Sequence, residues 1–201
     1  MSILEQIRES PIIAAVRDTR ALGRALESPI RVVFLLTGDI NGAEEITTAV
    51  RKAGKAVLVH LDLMEGLGKD RAAIKFVAGV IRPDGVITTR ANLIGAARGE
   101  GLFTVQRVFM LDSQSFQTAV ATVRGTGPDA VECLPGIIPR VIGELARAMP
   151  VPIVAGGLVK TVDEIQNALR AGAAGVSVSN ADLWYHVGVG RDPGPTLLRR
   201  S

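Results

Sequence analysis

The chain of 201 residues contains a single cysteine, Cys133, and aromatic residues make up only 3% of it. One cysteine excludes an internal disulfide scaffold and fits a reducing compartment. So few aromatics leave little material for the base stacking that single-strand nucleic-acid binders use. No run approaches the ~18 apolar residues of a membrane span. Glu5, Arg8 and Glu9 interrupt the segment where a signal peptide would need an apolar core. These absences point to the cytoplasm and to no membrane partner. The low hydrophobicity and high charge of a disordered regulator are missing too: hydrophobic residues are 47% of the chain and the net charge is +3. That modest basicity permits contact with nucleic acid without requiring it.

What is present is a rhythm. Nearly continuous Val/Ile/Leu runs read as strands at Ile12–Arg17, Arg31–Leu36, Lys55–Leu61, Gly85–Thr89, Leu102–Val108, Ala130–Leu134, Pro152–Ala155 and Gly175–Ser179. Runs without alternation indicate strands buried on both faces, as in parallel sheets. Amphipathic segments lie between them. Asn41–Ala53 places Ala43, Ile46, Ala49 and Val50 on one face. Thr161–Ala171 opens with a Thr161/Glu164 capping box and is stopped by Gly172. Pro139 suits the first turn of Pro139–Met149. Eight strand–helix units predict an α/β fold, a compact (β/α)8 TIM barrel. An open doubly wound sheet is the competing arrangement. Residues 1–187 are expected to form this single domain, with Ser2–Glu9 covering the barrel bottom and a truncated final helix at Asn180–His186. The Gly/Pro/Arg-rich tail, 188–201, reads as disordered.

In such a barrel the site lies at the C-terminal ends of the strands. Polar residues replace the apolar run at each of those ends. After the seventh strand comes Gly156-Gly157, and after the eighth comes Ser179-Asn180. These two loops often build a phosphate site, where glycines let backbone N–H groups approach and a short helix supplies its positive end. Asp62 and Glu132 are carboxylates at strand ends. Each could hold a ligand hydroxyl, or orient an arginine such as Arg17 or Arg107. His60 lies two residues before Asp62, and alternation points both inward; a lone inward histidine is as often packing as chemistry. Cys133 alternates away from Glu132 and reads as inert core. The two histidines form no convincing metal cluster. None of Lys52, Lys55, Lys69, Lys75 and Lys160 ends a strand, which disfavours Schiff-base chemistry. A small phosphate-ester pocket is legible, without a cofactor and without catalytic residues. An isomerase or lyase acting on a small phosphorylated substrate, with Asp62 and Glu132 as acid and base, is the alternative.

The motifs PIIAAVR (Pro11–Arg17), VHLDLMEG (Val59–Gly66), IRPDGVITTRA (Ile81–Ala91), QRVFMLDS (Gln106–Ser113), VECLPGIIP (Val131–Pro139), PIVAGGL (Pro152–Leu158) and AGAAGVSVSNADLW (Ala171–Trp184) resemble one family. It is that of the glycerol-3-phosphate-responsive antiterminators, also called glycerol uptake operon antiterminator regulatory proteins. The resemblance implies a cytoplasmic regulator rather than an enzyme. It would sense glycerol 3-phosphate and act on the leader mRNA of glycerol-catabolic genes. Gly156, Gly157, Ser179 and Asn180 would then hold the phosphate, and Arg17, Asp62, Arg107 and Glu132 the glycerol moiety. The stretch around Thr37-Gly38-Asp39 matches the family only loosely. No recognised RNA-binding module is present, so the resemblance implies an RNA-facing patch on the barrel itself, organised by ligand or by self-association into a homo-oligomer.

Overall fold

The structure is a computed structural model, and it describes residues 1–186; the tail expected at 188–201 lies outside the described residues. Eight parallel strands close into a barrel in chain order. They are β1 Ile12–Val16, β2 Val32–Leu35, β3 Ala56–His60, β4 Gly85–Thr88, β5 Phe103–Phe109, β6 Ala130–Leu134, β7 Ile153–Gly156 and β8 Gly175–Val178. Pairing of β8 with β1 removes the sheet edges and with them the open-sheet alternative.

The strands alternate between two cores. Ile13, Val32, Phe34, Leu58, Ile87, Val105, Ala130 and Val154 fill the barrel. Their neighbours Ala14, Val33, Val57, Val59, Val86, Ala155 and Val176 face the outer helices. This double burial is why the strands read as continuous apolar runs rather than alternating ones.

The helices are α1 Ile3–Glu9, α2 Leu22–Glu27, α3 Ala43–Lys52, α4 Arg71–Phe76, α5 Ala91–Gly99, α6 Ser113–Thr126, α7 Pro139–Ala148 and α8 Val162–Arg170. Helix α1 starts on a Ser2/Glu5 capping box and sends the fully buried Ile7 into the barrel core, so it plugs that end as expected. The Thr161/Glu164 capping box of α8 and Pro139 in the first turn of α7 are also in place. After β8 the chain makes only a 3-10 turn, Ala181–Tyr185, where two α-helical turns were expected. The buried Trp184 anchors it, its indole N–H donating to the Val178 carbonyl at 2.8 Å. Tight 3-10 winding is typical of such short pieces.

Register sets the vertical order inside the barrel. The stagger that closes an eight-stranded barrel advances the chain by about one residue per strand. Following the strand pairs on that rule puts Ala15, His60, Arg107 and Gly156 in one layer. Phe34, Ile87, Glu132 and Ser177 lie just beneath, and Leu36, Thr89, Leu134 and Ser179 just above.

Candidate functional site

A cavity of about 210 Å3 opens at the C-terminal mouth of the barrel, lined by Arg17, Arg107, Glu132, Gly157, Ser177 and Ser179, with Ala15, Leu36, Leu134 and Leu158 among the apolar residues. Drug-sized sites occupy ~300–1,000 Å3, so this one suits a small metabolite. A larger groove of about 480 Å3 runs between α4 and α5 on the outer flank, away from the strand ends.

The cavity floor is a buried polar triad. Glu132 is 1% exposed and accepts from Arg107 Nε at 2.6 Å through Oε2 and from Ser177 Oγ at 2.6 Å through Oε1. A carboxylate buried this deeply needs such partners, because desolvation otherwise expels its charge. Arg107 is 10% exposed on its side chain; among the described residues its Nη1 and Nη2 donate to no protein group. They are free to meet a ligand from the floor. At the mouth, Arg17 is exposed and makes no ion pair or hydrogen bond among the described residues. One uncompensated cation therefore stands at the entrance, above a neutralised pair.

Gly156 stands beside this triad. A Cβ there would come within 2.6 Å of both Glu132 Oε1 and Ser177 Oγ. The first glycine of the pair thus makes room for the carboxylate–serine contact. Gly157 has φ +76°, a conformation that glycine adopts freely, and it lines the cavity. Leu158 follows, also left-handed at φ +63° and 64% exposed on the rim.

The structure brings Arg17, Arg107, Glu132, Gly157 and Ser179 into one cavity. Gly156 supports it from behind. Asn180 is not part of the lining; its side chain accepts from the Asp182 N–H at 3.1 Å and caps the 3-10 turn. Asp62 is outside the lining as well. Residues Leu61–Leu63 form a 3-10 turn that ends the strand alternation. Asp62 Oδ2 accepts from the Thr88 hydroxyl at 2.9 Å and the Thr89 N–H at 2.8 Å, while Oδ1 accepts from Arg90 Nε at 3.0 Å. Burial would raise its pKa, but these donors and the nearby His60 outweigh burial and hold it below the usual carboxylate range. In this arrangement Asp62 orients an arginine and pins β3 to the end of β4.

Ser177 is the site residue that the sequence reading passed over. Its signal was present: Ser177 and Ser179 are two apart on a strand, hence on the same inward face. Cys133 faces the helix layer, fully buried, and burial pushes its thiol up to about 12. The loosely matched Thr37–Asp39 stretch is tied to the next loop. Asp39 bridges to Glu65, Glu65 N–H donates to Gly38 O at 2.9 Å, and Ile40 N–H to Glu65 O at 3.1 Å. Among the described residues no group of three or more His, Cys, Asp and Glu could hold a metal ion, and no helix is long and apolar enough to cross a membrane.

Comparison with known proteins adds to this geometry. A family model described as "Glycerol-3-phosphate responsive antiterminator" matches residues 12–184. An uncharacterized protein of Escherichia coli (strain K12), YgcP, is 36% identical over 184 residues, 92% of this chain and 96% of that protein. The crystal structure of a glycerol uptake operon antiterminator regulatory protein from Listeria monocytogenes superposes with TM-score 0.83 at 34% identity, covering 86% of this chain and 94% of that one. An antiterminator-related protein from Thermotoga maritima gives TM-score 0.79 at 33% identity, over 88% and 99%. Several aldolases are similar at 12–16% identity and share the fold alone.

Proposed function

Because the chain belongs to the glycerol-3-phosphate responsive antiterminator family, we propose that it binds glycerol 3-phosphate in the barrel-mouth cavity. In that state it acts in the cytoplasm on the leader mRNA of glycerol-catabolic genes and prevents early termination. The observation that carries the ligand reading is the charge layout: a free Arg17 at the entrance over a floor where Arg107 is neutralised by Glu132. One cation for one phosphate above, and polar neutral groups below, match a phosphate monoester of a small polyol. The Gly156–Gly157 loop and Ser179 surround the phosphate with Arg17, and Asn180 caps the turn that follows them. Arg107 and Glu132 take the glycerol hydroxyls, and Asp62 holds the rim through Arg90.

The enzymatic reading finds less support. The lining residues include no lysine, and both Glu132 oxygens are engaged by protein donors. Regulation would work by population shift, the ligand binding the RNA-competent state more tightly than the other. A tenfold preference corresponds to about 1.4 kcal/mol.

Two titrations test this. In calorimetry, glycerol 3-phosphate binds more tightly than inorganic phosphate, and glycerol alone does not bind. Arg17→Ala weakens the ester and phosphate alike, about tenfold, as loss of a charge-assisted hydrogen bond predicts. Glu132→Ala weakens the ester more than phosphate. In the second titration, leader RNA binds more tightly with saturating glycerol 3-phosphate than without it; equal affinity in both conditions would sink the regulatory mechanism.

A further inference from the structure

His60 is the last residue of β3, 2% exposed, and among the described residues neither ring nitrogen has a hydrogen-bond partner. Most buried histidines pair at least one nitrogen with a protein group or an ordered water, since leaving both unpaired in the interior is costly. The nearest carboxylate oxygen, Asp62 Oδ2, is 3.8 Å from Nδ1, beyond hydrogen-bonding range. That oxygen is already committed to Thr88 and Thr89. The imidazole is thus held in place and unsatisfied.

Register puts His60 in the same inward layer as Ala15, Arg107 and Gly156; its ring is not among the residues that line the cavity, but its two neighbours in that layer, Ala15 and Arg107, both are. The Arg107 cation lies near enough to disfavour a charge on the ring. A neutral imidazole carries one donor and one bare acceptor nitrogen. Arg107 carries donors only, and each Glu132 oxygen already accepts one bond. A hydroxyl bound against Arg107 still has its own proton to donate; each Glu132 oxygen keeps a second lone pair beside the bond it already accepts, whereas the His60 acceptor nitrogen is wholly unused among the described residues.

We propose that His60 is the innermost ligand contact, taking the terminal hydroxyl of the polyol phosphate between its imidazole and Arg107, and so making the site specific for that hydroxyl. This rests on the reading of the cavity as a glycerol 3-phosphate site.

The test is a calorimetric comparison of wild type, His60→Leu and His60→Gln. The ligands are glycerol 3-phosphate, its analogue with a methyl group in place of the terminal hydroxymethyl, and inorganic phosphate. Wild type prefers glycerol 3-phosphate to the analogue by about tenfold or more. His60→Leu loses that preference and binds phosphate as wild type does. His60→Gln, which keeps a donor and an acceptor, retains part of it. A residue serving packing alone would change the melting temperature and leave the preference intact. If wild type fails to bind glycerol 3-phosphate, the reading of the cavity is wrong. If wild type binds it and His60→Leu discriminates equally well, the assignment of His60 alone is overturned. Should His60→Leu not fold, the 15N shifts of the His60 ring in wild type decide: they move when glycerol 3-phosphate is added, and no movement overturns the assignment.

Discussion

Arg107 is able to carry its charge down to the cavity floor because Glu132 meets it there and Ser177 occupies the other carboxylate oxygen. The same floor makes His60 a pH-dependent liability. Burial first, then the Arg107 charge, with a smaller contribution from Lys69, lower its pKa from 6.5 to about 4, while Asp62 pulls the other way. The folded-state value lies below the unfolded one, so the unfolded chain takes up the proton first. The stability contributed is whole above about pH 6.5 and is lost as the pH falls toward about 4. Melting curves of the ligand-free protein across that window should therefore fall with pH more steeply for wild type than for His60→Leu. Parallel curves would show that His60 titrates normally. At this scale the sequence exposed residue type and place: His60 was legible from alternation, Arg107 and Glu132 from their positions at strand ends. It could not expose pairing, because whether Asp62 meets a ligand or Arg90 depends on the 3-10 turn that carries it off the strand path.

Among the elements, β7 and the loop after it are the most constrained. Gly156 permits the Glu132–Ser177 contact that passes over β7 to join β6 and β8. Gly156→Ala forces that contact apart and should cost about 1–3 kcal/mol, as overpacking of a close-packed site does. Chemical denaturation would measure the loss. The same variant should weaken glycerol 3-phosphate binding, since Glu132 must shift; wild-type stability would show that the carboxylate relaxes freely. The strands themselves were readable because a parallel barrel buries both faces and writes continuous Val/Ile/Leu runs. Capping boxes at Ser2/Glu5 and Thr161/Glu164 are local and equally readable. The loop after β2 was not, because Asp39 and Gly38 find their partners at Glu65, on the far side of α3 and β3 in the chain.

For the whole molecule, the barrel closes without an edge, and the ligand cavity sits over a core continuous with the strands. Ligand binding and global stability are therefore coupled by mass action. At a hundred times its Kd, a ligand that binds the folded state alone adds about 2.7 kcal/mol. For a chain of this size that raises Tm by roughly 5–10 °C. Scanning calorimetry should show this rise with glycerol 3-phosphate and none with glycerol. The sequence by itself determined the eight-unit barrel, the end of it that bears polar residues, and the family, because each is written in local patterns: periodicity, punctuation by glycine and proline, and contiguous motifs. Tertiary structure alone decided that Gly156 serves Glu132 and Ser177, that Asn180 and Asp62 are bound to protein groups, and that His60 has no hydrogen-bond partner among the described residues. Those facts depend on side chains from strands far apart in the chain meeting at a distance of a few ångströms, and on the barrel stagger that sets which of them share a layer.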